Sequence, residues 1–511
     1  MRNIHRCSFY CAAIAVAAFV ASASHAAQPP RFHYQAKLTE NGGPLTGSHV
    51  IFFYIYQGGT AGVAESGTKV FQESVSVNLT DGILNHSVGT GVNFFGGPLN
   101  ANMFRTNSDV FLMVAVDALD NYVLPRTRLD SVPYAINSAD GDARQPLVTA
   151  LPITISQSGS YYFTQNLTAV SASDKITITA DNVTLDLNGY SLVGIAGATD
   201  GILFSGTRTN IVIKNGTVRS WPGDGIDATT SDNCQFYNLR LVSNTGHGLF
   251  CDDDNIAHQC SARTNGKSGI SFGGSGIITE CVAADNGTAG AFAGIHTGNG
   301  GNVSTCHAGT NSGNGIETGT GASIRDCNSR FNSLDGFNLG EKSTIVCCVA
   351  EDNTVDGIDV SNATVVTDCS VSDNHQVGIR VADSVIIEKC TVRQNLFGGI
   401  LASSKCTVLH CIIDTNTSHG IALNQRGLVR SNVVSQNIGP GIYINGDLNR
   451  IEENSVMNNG QFGILTSLPF VLNAVTRNFV SGHSTNNYAV GGNKVGPVAD
   501  PSSTTSPWAN F

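Results

Sequence analysis

Between Asn244 and Asn459 an asparagine recurs eleven times, at Asn244, Asn265, Asn286, Asn311, Asn332, Asn353, Asn374, Asn395, Asn416, Asn437 and Asn459. Eight of the ten steps are 21 residues, one is 22 and one is 25. A fixed period of this length is the signature of a solenoid, in which each repeat buries its apolar face only against its neighbours. Most of these asparagines are followed four residues later by a glycine and then an apolar residue, as in Gly357-Ile358, Gly378-Ile379 and Gly420-Ile421.

Alignment on the glycines resolves three inward tracks. An aliphatic residue lies twelve positions before the glycine (Ile324, Ile345, Val366, Ile387, Val408, Val429) and a cysteine nine before it (Cys327, Cys348, Cys369, Cys390, Cys411, with Cys260, Cys281 and Cys306 earlier). The third track directly follows the glycine, from Ile295 through Ile358 to Ile464. Within each segment apolar and polar residues alternate, as in Ile358-Asp359-Val360, and a period of two means strands. Three short strands per coil predict an all-β chain dominated by a right-handed parallel β-helix of about thirteen coils of ~21 residues, a rod of about 60 Å. The asparagines are expected at turns, where the residue tolerates a left-handed backbone and its amide can bond the same amide one coil away.

The repeat divides the chain. Residues 1–26 hold Arg2, Arg6 and an apolar run ending in small residues, which reads as a secretory signal. Residues 27–137 lack the repeat; strand-like runs at 50–56, 70–77 and 110–116, separated by turn signals such as Asp81-Gly82, predict a small antiparallel β domain. A polar linker is placed at 138–150, the β-helix with its N-terminal cap at 151–480, and a C-terminal cap at 481–511 in which Trp508 and Phe511 pack back on the last coil. Tyr161, Tyr162 and Phe163 are expected to plug the opposite end, because an open solenoid end exposes apolar surface.

The formal net charge of −11 disfavours nucleic acid, which is bound through Lys and Arg at phosphates, and disfavours a polyanionic glycan unless a cation bridges the two. No stretch is long enough for a membrane span. These features predict a secreted or periplasmic protein. Fourteen cysteines are present, two of them in the signal; the column of eight reads as buried free thiols that serve as small apolar filler.

The asparagine ladder and coil arithmetic resemble the right-handed β-helix proteins of the pectin lyase-like superfamily over residues 150–480. That resemblance implies the fold and leaves function open among lyases, hydrolases, epimerases, tailspikes and noncatalytic adhesins. Residues 34–39 and 126–135 resemble an N-terminal module found ahead of repeats in secreted bacterial proteins. Gly246-His247-Gly248 and Asp252-Asp253-Asp254 fall in the wrong order for polygalacturonase signatures. Asp224-Gly225-Ile226-Asp227 and Asp356-Gly357-Ile358-Asp359 lack the Pro-His that continues the mannuronan epimerase motif.

Function in a solenoid is expected as departures from the repeat on one outward stripe. The position two after the glycine gives His296, Glu317, Asn338, Asp359 and Arg380, with Asn314, Asp335 and Asp356 beside them. Glu317 and Asp359, about 10 Å apart by strand spacing, and Arg380 are the candidate catalytic residues, with Arg380 also a salt-bridge partner for Asp359. His296, Asn338 and Tyr443 are candidate sugar contacts, with Trp221 a further stacking ring. Asp335, Asp356 and Asp359 could supply oxygens to Ca²⁺. Because the coils vary little in length, no long loops are expected to wall a cleft. The leading expectation is a noncatalytic β-helix that binds extracellular polysaccharide; the alternative is a polysaccharide lyase or glycoside hydrolase.

Overall fold

The computed structural model describes residues 31–40, 42–97, 99, 109–129, 144–147, 150–499 and 505–511. The signal at 1–26 and residues 138–143 of the expected linker lie outside them. The chain divides into two compact units, 1–143 and 144–511.

The first unit is antiparallel β. Strands Gly47–Gln57, Thr68–Leu79, Val92–Phe95, Val110–Val116 and Tyr122–Arg128 form one sheet, and Phe32–Lys37 pairs with Ile83–Val88. All three strand-like runs of the sequence fall in this unit's strands. Its core gathers Phe53, Ile55, Phe71, Leu84 and Leu112, all essentially buried.

The second unit is a parallel β-helix. Its first strands form a 16-stranded sheet running from Ile153–Ile155 to Asn486–Ala489, and the second and third strands form a 30-stranded sheet. The solenoid thus has about sixteen coils rather than thirteen, a stack of about 70 Å at ordinary strand spacing. The early coils escaped the count because their first strands begin at 153, 176, 202 and 226, at uneven steps and ahead of the first ladder asparagine. A representative coil has strands Ile358–Val360, Val365–Thr367 and Ser370–Ser372, the first with an in-out-in burial pattern. The three inward tracks line one continuous core.

The corners differ from expectation in an informative way. The left-handed residue is the one before each ladder asparagine: Asp352 (φ 54°) precedes Asn353 and Asp373 (φ 58°) precedes Asn374. The same left-handed step precedes the cysteines, as at Asp368 and Lys389, and the corner before the second strand, as at Ala363. A left-handed residue turns the chain into a new sheet direction, and the following side chain points inward at the corner. That inward position selects asparagine, because the turn carries backbone groups that are buried and must be paired. Asn353 Oδ1 accepts from the Asn332 backbone N–H (3.1 Å) and Nδ2 (2.9 Å). Its own Nδ2 donates to Asn374 Oδ1 (2.9 Å) and to the Ser329 carbonyl (3.1 Å).

The cysteine column is a weaker version of the same device. Cys390 N–H donates to Cys411 Sγ (3.4 Å), and Cys411 N–H then donates to Asn432 Oδ1 (2.9 Å), where the column changes to asparagine and continues through Asn454 and Asn478 to Asn510. The twelve described cysteines are free thiols, eleven buried and Cys347 exposed.

Both caps are built by the chain itself. Tyr161 and Phe163 are buried, whereas Tyr162 faces outward beneath the Arg144 guanidinium; strand Gln145–Leu147 pairs over this edge. At the other end Trp508 is 54% exposed, under the Arg477 guanidinium, rather than packed on the last coil. The closing residue is Asn510, fully buried as the last rung of the second ladder, while the main ladder ends on His483, whose Nδ1 accepts the Asn459 N–H (3.1 Å). Trp221 is also fully buried and starts the main ladder by donating its N–H to Asn244 Oδ1. It is therefore core and cannot stack on a sugar.

Candidate functional site

Each first strand presents one outward residue. The glycine before it owes its place to the ladder, because a Cβ on Gly357 would lie 2.4 Å from Val371 and 2.7 Å from Asn374 Nδ2. With the glycines fixed, the outward residues align in strict register: His296, Glu317, Asn338, Asp359 and Arg380 are successive cross-strand partners, followed by Leu401, Ala422, Tyr443 and Leu465. The predicted stripe is therefore one physical surface.

A second column runs beside it, three residues earlier in each coil. Asn314 Oδ1 accepts the Asp335 N–H, Asp335 Oδ1 accepts the Asp356 N–H (both 3.0 Å), and Asp356 Oδ1 accepts the Val377 N–H (2.8 Å). Asn314 also donates to Glu317 Oε2 (3.0 Å), and Asn338 donates to Asp335 Oδ2 (3.0 Å). Arg380 reaches back to Asp356, through Nε to Oδ2 and Nη2 to Oδ1, so its ion pair is with the buried Asp356 and not with Asp359. A guanidinium clamped this way is a poor candidate for a free lyase base.

Asp359 is the exception in this network: among the described residues its carboxylate makes no hydrogen bond and no ion pair. Burial, together with the neighbouring Asp335 and Asp356 charges, pushes its carboxyl up to about 6, against the opposing pull of Arg380. Burial likewise raises Asp335. The expected calcium set is not assembled: among the described residues the three carboxylates whose oxygens lie within 4.8 Å of one another are Asp200, Asp224 and Asp227, not Asp335, Asp356 and Asp359. The latter pair of backbone-capping acids is already engaged, Asp335 by Asn338 and Asp356 by Arg380.

The remaining sugar-contact candidates are placed apart. His296 Nδ1 lies 3.3 Å from Ser271 Oγ at one end of the stripe. Tyr443 lies three coils beyond Arg380, in an aromatic row with His419 (centroids 6.4 Å) and the exposed Phe397 (6.3 Å from His419).

The stripe also extends further toward the N-terminal coils than the sequence reading took it. Asp227 and Phe250 are cross-strand partners that continue the outward line, and Phe250 pairs on to Ser271. Asp200, Asp224 and His247 continue the adjacent column: Asp224 N–H donates to Asp200 Oδ1 (2.8 Å) and His247 N–H to Asp224 Oδ1. The signal for these residues is their place in the coil frame; comparison with catalytic motifs sets aside Asp224, Asp227 and His247 and does not reach Asp200 or Phe250. Asp224 is pushed up to about 6 by burial and by Asp200 and Asp227. His247 is pushed down to about 4 by burial and by Lys267 and His296, so its ring is neutral.

The family described as "Right handed beta helix region" matches residues 316–449 and 361–496, and a "Domain of unknown function" matches residues 33–126. No curated protein matches. Among solved structures, the chain is similar to the A-module of the Azotobacter vinelandii mannuronan C-5 epimerase AlgE4, at 14% identity over 66% of this chain and 91% of that one, with a TM-score of 0.35. It is also similar to the periplasmic alginate epimerase AlgG (14%, 69% and 75%, TM-score 0.27) and to a tailspike protein of bacteriophage CBA120 (11%, 69% and 49%, TM-score 0.27). Likenesses at this level set neither substrate nor activity. The family match gives the hand of the coil, and the unbroken strand register carries it over the whole solenoid: the second unit of this chain is a right-handed parallel β-helix.

Proposed function

We propose that this chain is an extracytoplasmic β-helix protein that binds polysaccharide along the outward face of its first-strand sheet, without turning it over. The observation that carries this reading is the registered stripe from Asp227 to Arg380, where polar, charged and aromatic side chains stand one per coil on one sheet. Regular spacing of hydrogen-bonding groups and rings suits a repeating polymer. The noncatalytic side of the reading is supported by the pairing of Arg380 with Asp356 and of Glu317 with Asn314.

The catalytic alternative retains one favourable feature, the unpaired and raised Asp359 carboxyl, the property expected of a general acid. A panel of neutral, amino-bearing and uronic polysaccharides, assayed for binding and for new reducing or unsaturated ends with and without calcium, separates the two. Binding with no new ends is expected. Turnover abolished by Asp359→Ala would overturn the noncatalytic reading.

A further inference from the structure

The one long step of the ladder, 25 residues between Asn286 and Asn311, inserts four residues near 288–292 into the turn beside the outward stripe. Phe292 from this insertion stands edge-on to His247, with centroids 6.0 Å apart, and His247 lies flat on Phe250 at 4.6 Å. The His247 side chain is 8% exposed, and its Nδ1 is buried with no partner among the described residues. A buried acceptor or donor left unpaired costs about 1–3 kcal/mol, so an orphan here is a place where something is expected to bind.

The groups in the two preceding coils indicate what kind. There the Asp200, Asp224 and Asp227 carboxylates converge within 4.8 Å. His247 is joined to them twice, through its backbone N–H on Asp224 Oδ1 and through Phe250, the register partner of Asp227. Asp200 and Asp227 form no ion pair among the described residues, and Lys267 is the one cation that acts on Asp224. Three carboxylates against one ammonium leave the locality negative, on a chain whose net charge is −11. An anionic sugar is repelled here; a cationic one is attracted.

We propose that the surface around His247 is a subsite for a sugar carrying a free amino group: its ammonium is taken by Asp200, Asp224 and Asp227, and a ring hydroxyl bonds His247 Nδ1 as the Phe292 ring is displaced. The insertion can give way because glycines bracket it; Gly287 (φ 84°) occupies a left-handed position and Gly290 and Gly294 follow. A neutral imidazole, as burial makes it, accepts a hydroxyl proton where an imidazolium could not. The displaced aromatic ring leaves Phe250 and His247 as the face on which the sugar's C–H groups rest. This proposal rests on the polysaccharide-binding reading and adds the class of sugar.

Calorimetric titration of the full chain with glucosamine oligosaccharides, their N-acetylated counterparts and oligogalacturonates, each with and without calcium, tests it. The free-amine oligomer is expected to bind at least about tenfold tighter than the N-acetylated one. Asp227→Asn and Asp200→Asn, which keep the shape of the side chain, should erase that preference. His247→Gln should weaken both ligands, and Phe292→Ala should strengthen both by removing the ring that must move. Unfolding midpoints of the variants identify any loss due to misfolding, and the two Asp→Asn variants carry the test if His247→Gln is destabilised. Equal affinity for amine and N-acetyl oligomers, a preference that survives both Asp→Asn changes, stronger binding of oligogalacturonate, or binding that appears only with calcium each overturns the amino-sugar subsite while sparing the polysaccharide reading. Failure of every glycan to bind overturns both.

Discussion

At the scale of single residues, the corner position after a left-handed residue decides most of what this sequence looks like. Asn353 satisfies two groups of the preceding coil's Asn332 and one carbonyl of Ser329. Asn353→Ala removes them all, and the expected cost is about 3 kcal/mol, read as a lowered unfolding midpoint. Cys411→Asn places the better acceptor beside Asn432 in a position asparagine already fills one coil on, so it is expected within about 1 kcal/mol of wild type, on the stabilising side; a loss comparable to that of Asn353→Ala would refute the equivalence of the columns. Among the described cysteines, a native maleimide reaction should label Cys347 quickly and the eleven buried thiols only on unfolding. Burial and the neighbouring Asp335 and Asp356 charges push the Asp359 carboxyl up to about 6, so the fold favours its protonated form. That contribution is complete below about pH 4 and is lost as pH rises through about 6. Asp359→Asn should therefore stabilise the protein by about 1 kcal/mol at neutral pH, after discounting for solvent screening, and leave it unchanged near pH 4.

At the scale of elements, coils of equal length were legible and coils of unequal length were not. The ladder exposed the eleven coils that carry it, down to which residue of each first strand faces out, because period two and a fixed frame leave no freedom in register. The four coils before Asn244 have uneven steps and no asparagine at that corner, and they were undercounted. The same blindness hid Asp200, while Asp224, Asp227 and His247 were set aside on motif grounds although they occupy the same two outward columns as Asp356 and Asp359. Pairings between side chains were also out of reach: Arg380 had two acids within a coil's distance, and only the three-dimensional arrangement shows that it takes Asp356. The last element offers its own test. His483 ends the ladder by accepting the Asn459 N–H on Nδ1, its Nε2 lies 3.1 Å from the Val456 carbonyl, and burial lowers its pKa. A lowered histidine contributes stability that is complete above its unfolded pKa of about 6.5 and is lost as pH falls. Amide exchange at 455–466 should therefore accelerate on acidification below pH 6, while exchange at the central coils holds, and His483→Asn should suppress that response by supplying the rung in uncharged form.

At the scale of the whole molecule, the solenoid separates stability from function by direction. Inward positions are nearly uniform along the stack and carry the ladders and the aliphatic core, while the outward face of the first-strand sheet changes character from coil to coil. It passes from the carboxylates at 200–227 through the His247 aromatic pair, the mixed stripe of Glu317 to Arg380, and the Phe397-His419-Tyr443 row. The resemblance that fixed the fold could not identify a ligand, because what distinguishes this chain lies in those outward residues. Carbodiimide footprinting of carboxylates, with and without a mixture of neutral, amino and uronic oligosaccharides, asks directly whether this face is the binding surface. The account predicts that Asp227, Glu317 and Asp359 are protected while Glu351 and Asp414, on third strands, and Asp368, at the corner before one, keep their free rates. Protection of Glu351, Asp368 and Asp414 with the first-strand face unchanged would contradict it.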